Sequence, residues 1–160
     1  MPLQILGLNH NTAPVEIREQ VVFAGDEVPQ ALQSLKAIDG VQEAVLLSTC
    51  NRTEFYVMAD DDGREQLRTW LQNNRHLDAS FNDSLFSLHG EEAIRHIFRV
   101  ACGLDSMVLG EPQILGQLKD AFRDAQEAKT LGRKLNLLLQ HTFGVAKKIR
   151  TDTEIGVSPV

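Results

Sequence analysis

Two strand-length apolar runs, about 42 to 48 and 53 to 59, stand back to back across a short polar connection, and each is flanked outward by a helix and then a strand. The order through Leu88 is strand, helix, strand, strand, helix, strand, and nothing else in the chain narrows the fold as much. Leu3 to Leu8 alternates as a strand, followed by the turn-rich loop Asn9-His10-Asn11-Thr12-Ala13-Pro14. Asp26 is placed to cap a helix with Glu27 and Pro29 in its first turn and Val28, Leu32, Leu35 and Ile38 as its apolar stripe, ended by Gly40. After the paired strands, Asp60 to Gly63 reads as a turn, Arg64 to Asn74 as a helix with Leu67, Trp70 and Leu71 inward, and Ser84 to Leu88 as a short strand.

This is the order of the split βαβ, ferredoxin-like arrangement, so the expected class is α+β: a four-stranded antiparallel sheet covered on one face by helices. Additional C-terminal helices follow, one from about Glu91 to Cys102, one starting at Pro112, and one from about Gly132 to Arg150. The chain stops at Val157-Ser158-Pro159-Val160, an apolar sequence just beyond a long helix, which points to a fragment. No Gly-x-Gly-x-x-Gly follows any strand, so a dinucleotide-binding unit is not expected in these residues.

At 160 residues, 42% apolar and 24% charged, the chain has the make-up of one soluble domain, without a run approaching a membrane span. The start Met1-Pro2-Leu3-Gln4 has neither the basic nor the apolar region of a secretion signal, so the expected compartment is cytoplasmic. Cys50 and Cys102 are the only cysteines, which argues against a disulfide framework or a zinc site. A net charge of -6 opposes nucleic-acid binding over the whole surface, yet the stretch between Ala128 and Thr151 has no acid and holds Lys129, Arg133, Lys134, Lys147, Lys148 and Arg150. Such a tract is either the solvated face of a helix or a footprint for phosphates.

Chemistry is expected in the connection itself, Ser48-Thr49-Cys50-Asn51-Arg52-Thr53-Glu54. A thiol attacks as thiolate, which a neighbouring cation favours, and Arg52 is such a cation. If the run stays extended, Cys50, Arg52 and Glu54 share one face; a tight turn would break that alignment. Arg52 and Glu54 are alternatively an ordinary ion pair. His96, on a helix whose expected stripe is Ile94, Ile97, Phe98 and Ala101, points off that stripe, either to solvent or as a general acid or base. Cys102 reads as packing. Gly103 to Gln113 is a second unusual stretch, whose glycines and Pro112 suit either close backbone approach to an anion at a helix start or a plain structural loop.

Four stretches, Gly7 to Pro14, Ser48 to Glu54, Gly103 to Gln117 and Lys147 to Thr153, together resemble glutamyl-tRNA reductase, the family that opens tetrapyrrole (porphyrin, heme) synthesis from glutamate by the C5 pathway. The resemblance implies a catalytic N-terminal domain over 1–155, with 156–160 beginning a linker to an NADPH-binding domain that lies beyond the chain. It implies Cys50 as the nucleophile toward glutamyl-tRNA, giving a thioester that NADPH reduces to glutamate-1-semialdehyde, and His96 as the activity-critical histidine. A substrate pocket of Thr49, Asn51, Arg52, Ser106, Glu111, Pro112, Gln113 and Gln117 is likewise implied, with Arg52 reading the substrate carboxylate and Glu54 holding Arg52 in place. Lys147, Lys148 and Arg150 would touch tRNA, a homodimer would form through further residues, and glutamate-1-semialdehyde aminotransferase is a candidate docking partner. Two rival readings are a Cys-dependent esterase of glutamyl-tRNA and a non-catalytic tRNA-binding or regulatory module.

Overall fold

The computed structural model describes residues 2–105 and 113–153. Strand β1 (Leu3–Asn9) leads through helices α1 (Val15–Val21) and α2 (Val28–Lys36) to the pair β2 (Val41–Ser48) and β3 (Arg52–Ala59). Helix α3 (Asp61–Asn74), a 3-10 helix over Ala79–Ser84 and strand β4 (Phe86–His89) follow, then α4 (Gly90–Ala101), α5 (Gln113–Ala128) and α6 (Arg133–Thr153). The four strands form one antiparallel sheet in the order β2-β3-β1-β4. The class is α+β, as the sequence order requires.

Several boundaries differ from the sequence expectation for identifiable reasons. Helix α1 was not expected; Pro14 starts it, its carbonyl accepting from Ile17 and Arg18, and of its seven residues only Val21 is buried, too little apolar periodicity to read. Glu27, not Asp26, sits at the start of α2, and its carboxylate accepts from the Ala24 backbone N–H. The Asp60 to Gly63 turn is the capped first turn of α3, with Asp60 Oδ1 accepting from Gly63 N at 2.7 Å.

The sheet is covered on both faces, not one. Every residue of β1 and β3 is buried, and alternate β3 side chains meet different layers. Phe55 packs edge-on against Phe23 and against Trp70 of α3, whereas Glu54, on the opposite face, meets His96 of α4. The C-terminal helices therefore supply a second layer, α4 lying against β1 and β4 and α5 against β2. The outer edge of β2 is closed by Thr130, whose carbonyl and hydroxyl pair with the Ala44 N–H and C=O at 2.9 Å each. Glu43, also buried, accepts from the Leu135 N–H at 2.9 Å and so satisfies the first turn of α6.

Candidate active site at the β2–β3 hairpin

The connection between β2 and β3 is a tight turn. Ser48 pairs with Thr53, the Thr49 N–H donates to the Arg52 carbonyl at 2.7 Å, and only Cys50 and Asn51 lie beyond that bond. The Thr49 hydroxyl accepts from the backbone N–H groups of Asn51 and Arg52 at 3.2 Å each, a side-chain turn that fixes the tip. The turn separates what an extended run would have aligned: Cys50 is exposed at the tip, while Arg52 and Glu54 point together into the layer between the sheet and α4.

There they form a buried polar cluster. Arg52 is 2% exposed and Glu54 fully buried, and Arg52 Nη1 donates to Glu54 Oε2 at 2.6 Å. Arg52 Nη2 donates to the Asp105 carbonyl at 2.6 Å, with the Asp105 carboxylate 3.7 Å from Nη1. The Tyr56 hydroxyl donates to Glu54 Oε1 at 2.6 Å, and His96 Nε2 lies 3.0 and 3.1 Å from the two carboxylate oxygens. Burial pushes the Glu54 carboxyl up, but the hydrogen bonds from His96 and Tyr56 and the positive neighbours outweigh it and hold it below the usual carboxylate value. Burial beside that carboxylate pushes the Tyr56 phenol well above its ordinary value. An exposed Arg–Glu pair would contribute little; here, losing one partner would strand a charge in the interior.

His96 reaches this cluster because α4 is rotated from its expected setting. The buried stripe is Ala93, Ile97, Val100 and Ala101, with Ile94 36% exposed, so His96 turns toward the sheet beside Phe86, their ring centroids 5.2 Å apart. No hydrogen bond joins His96 to Cys50 among the described residues. Cys102 is buried, and burial raises its thiol pKa, as a packing residue requires.

The other expected site residues are distributed around the hairpin. Asn51 accepts from Arg18 Nη1 of α1 at 3.2 Å. Gln113 is exposed at the start of α5, and Gln117 lines a cleft of about 160 Å³ on the outer side of β2 with Ser48, Phe23 and Asp120. Ser106, Glu111 and Pro112 lie outside the described residues. Of the basic tract, Lys147 and Lys148 are exposed, whereas Arg150 is half-buried and donates to the Ala101 carbonyl at 3.2 Å, linking α6 to α4.

Four neighbours are not among the site residues expected from the sequence. Gly7 stands opposite Glu54 in β1, and a Cβ there would lie 3.0 Å from Glu54 Cγ. Tyr56 looked like an ordinary strand residue. His10 is held below its usual imidazole value by burial, then by the charge of Arg52, with Asp105 opposing and Arg18 adding to the lowering; its buried Nδ1 finds no partner among the described residues. Arg18 sits on the unexpected α1. The loop holding His10 and the period-two step from Glu54 to Tyr56 were signals available in the sequence.

A family model described as the N-terminal domain of glutamyl-tRNAGlu reductase matches residues 6–153. Glutamyl-tRNA reductase of Xanthomonas campestris pv. phaseoli is 55% identical over the whole chain, which spans 36% of that relative. The enzyme of the same name from Alkalilimnicola ehrlichii is also 55% identical, again over all of this chain and 36% of its own length. Among solved structures, glutamyl-tRNA reductase from Methanopyrus kandleri superposes with a TM-score of 0.78 at 32% identity, covering 94% of this chain and 34% of that one. The chain thus spans about a third of the length of the relatives it matches.

Proposed function

The chain belongs to the glutamyl-tRNA reductase N-terminal domain family, and we propose that it carries the acyl-transfer half of that reaction, with Cys50 as the nucleophile. The observation that carries this reading is the separation made by the hairpin: an exposed thiol at the tip, two and four residues from a buried guanidinium and carboxylate. A nucleophile that must meet the end of a large RNA has to be accessible, and the group that reads a small acidic side chain works best out of water. The strand order β2-β3-β1-β4, with helices between β1 and β2 and between β3 and β4, supports a ferredoxin-like core over 1–155.

Cys50 sulfur attacks the ester carbonyl carbon of glutamyl-tRNA; the C–S bond forms, the C–O bond breaks, and the tRNA 3′ end leaves as a hydroxyl carrying the proton the thiol gave up. Covalent catalysis here replaces an oxygen ester by a thioester, which a hydride reduces more readily. Arg52 reads the glutamate side-chain carboxylate, helped by Thr49, Asn51, Ser106, Glu111, Pro112, Gln113 and Gln117, and His96 carries the proton. Lys147, Lys148 and Arg150 are assigned a contact with the tRNA backbone, which the exposure of the two lysines supports.

The residues described do not fit a dinucleotide. Every strand pairing is antiparallel, so there is no crevice at the ends of parallel strands, and no glycine-rich turn follows a strand. Reduction of the thioester to glutamate-1-semialdehyde is assigned to NADPH held by residues outside 1–155. Homodimerisation and delivery to an aminotransferase belong to the whole enzyme on the same reading.

The decisive experiment is trapping. Full-length enzyme mixed with glutamyl-tRNA and no NADPH is expected to carry glutamate as a thioester on Cys50 by mass spectrometry, and Cys50→Ser is expected to carry none. Glutamate attached at Cys102 would overturn the assignment. The exposure of Cys50 also favours slow hydrolysis of the thioester when hydride is lacking, so free glutamate without NADPH and aldehyde with it is the expected product pattern.

A further inference from the structure

A single carboxylate touches both groups that the proposed function assigns to substrate reading and proton transfer. Arg52, Glu54 and Tyr56 are alternate residues of β3 and so share one sheet face, and His96 descends on them from α4. Glu54 accepts from Arg52 Nη1 and from the Tyr56 hydroxyl at 2.6 Å each, and His96 Nε2 is within 3.1 Å of both its oxygens. A carboxylate offers about four acceptor sites, so this one is nearly saturated. Holding Arg52 alone would need neither Tyr56 nor His96.

Protonation follows from this geometry. An ionised carboxylate only accepts, so the His96 nitrogen facing it carries hydrogen, and in the neutral ring the other nitrogen, Nδ1, is then a bare lone pair. We propose that Glu54 is the positioning residue of the acyl-transfer centre: it clamps Arg52 for the substrate carboxylate and fixes His96 as the Nε2–H tautomer, leaving Nδ1 to move the proton. The proposal rests on the roles of Cys50, Arg52 and His96 given above. The proton released by the Cys50 thiol passes to Nδ1 and from there to the departing ribose oxygen; Glu54 stays ionised throughout and stabilises the transient imidazolium. Tyr56 holds Glu54 from the side opposite Arg52, and Gly7 leaves the room in which its side chain lies.

The test uses full-length enzyme and glutamyl-tRNA without NADPH, measuring the rate of thioester formation on Cys50 in wild type, Glu54→Gln, His96→Ala, the double variant and Tyr56→Phe. Glu54→Gln is expected to slow the step about 10²-fold, the order that misplacing a reacting group by about 1 Å costs. The double variant is expected to be no slower than the slower single one, because the two residues act as a unit. Histidine-selective nitrogen NMR is expected to show His96 as Nε2–H in wild type. In Glu54→Gln, whose amide can donate to Nε2, the Nδ1–H form is expected to appear. A residue that served stability alone would leave additive losses and an unmoved tautomer. Wild-type rates in Glu54→Gln, additivity, or an Nδ1–H tautomer in wild type would each overturn the proposal. Should Glu54→Gln not fold, Tyr56→Phe, which removes one hydrogen bond and no charge, is expected to lose about 3- to 10-fold, non-additively with His96→Ala, and a wild-type rate there overturns it. If wild type forms no thioester on Cys50, the proposed function itself fails and takes this inference with it.

Discussion

Gly7→Ala tests the packing that makes the buried cluster possible. In the register of the sheet Gly7 stands between Glu54 on β3 and Phe86 on β4, and an added methyl would lie 3.0 Å from Glu54 Cγ, from Phe86 Cζ and from the Thr53 carbonyl oxygen. Non-bonded carbons rest about 3.5 to 4.0 Å apart, so two of the three approaches are short by about 0.5 Å or more. The Thr53 oxygen is backbone and has no rotamer to yield. Overpacking of this kind costs roughly 1 to 3 kcal/mol, offset by about 0.5 to 1 kcal/mol from the lower chain entropy of alanine. The net expectation is a loss of up to about 2.5 kcal/mol, centred on about 1 kcal/mol, which is a fall in Tm of roughly 2 to 4 °C at the centre of that range for a domain of this size. Gly144→Ala is the control: it lies within α6, nothing stands within 4 Å of its Cβ, and the same substitution should stabilise by about 0.5 to 1 kcal/mol. Trp70, the only tryptophan, stacks on Phe23 with centroids 6.0 Å apart and supplies the fluorescence signal for thermal unfolding. Because the displaced neighbour is Glu54, Gly7→Ala should also slow thioester formation at temperatures where it remains folded. Equal Tm values for Gly7→Ala and wild type, with equal rates, would refute the reasoning.

Three further outcomes are expected. An alkylating reagent added to the folded chain should modify Cys50 alone, Cys102 reacting only on unfolding, and early double labelling would contradict its burial. Tyr56 is the only tyrosine, and its phenol is raised in the fold, so the fold favours the neutral form; that stabilisation is complete below about pH 10 and declines as pH rises further. Ultraviolet absorbance should therefore show tyrosinate only together with loss of the Trp70 signal, and a reversible titration near pH ~10 in the intact fold would count against it. Arg52→Lys replaces a fork that reaches Glu54 and the Asp105 carbonyl by a single ammonium, so it should cost roughly 1.5 to 3 kcal/mol of stability and lower the preference for glutamyl- over glutaminyl-tRNA at least ~10-fold; unchanged selectivity in single-turnover assays would remove Arg52 from substrate reading.

The strand order was legible because apolar runs of strand length and helical periodicity alternate cleanly through Leu88. The second helical layer was not, because nothing in the periodicity of β3 distinguishes a strand buried on both faces from one with a polar outer face when its inward polar residues are Arg52 and Glu54. Those two residues read equally well as a solvated pair. They are interior because α4 packs over that face of the sheet, and the direction of His96 follows from the setting of that helix: Ile94, placed on the stripe by the sequence, is turned out, and Ala93 is turned in.

The turn at Cys50 and Asn51 settles a point that spacing left open. In an extended run, Cys50 would have shared a face with Arg52, and the guanidinium would have been available chiefly to favour a thiolate. With the chain reversing at the tip, Arg52 is directed inward onto Glu54 and Asp105, while the sulfur stays in solvent. A guanidinium committed to the Glu54 carboxylate and the Asp105 carbonyl is poor support for a thiol at the surface, but it is well held for recognising a planar anion, since its geometry is fixed before the ligand arrives. Under the proposed function the proton demand of acyl transfer falls on His96, whose one nitrogen is occupied by the same carboxylate that holds Arg52. On that proposal substrate reading and proton transfer are coupled through Glu54, and a perturbation of either should register in the other even though Arg52 and His96 lie on different elements.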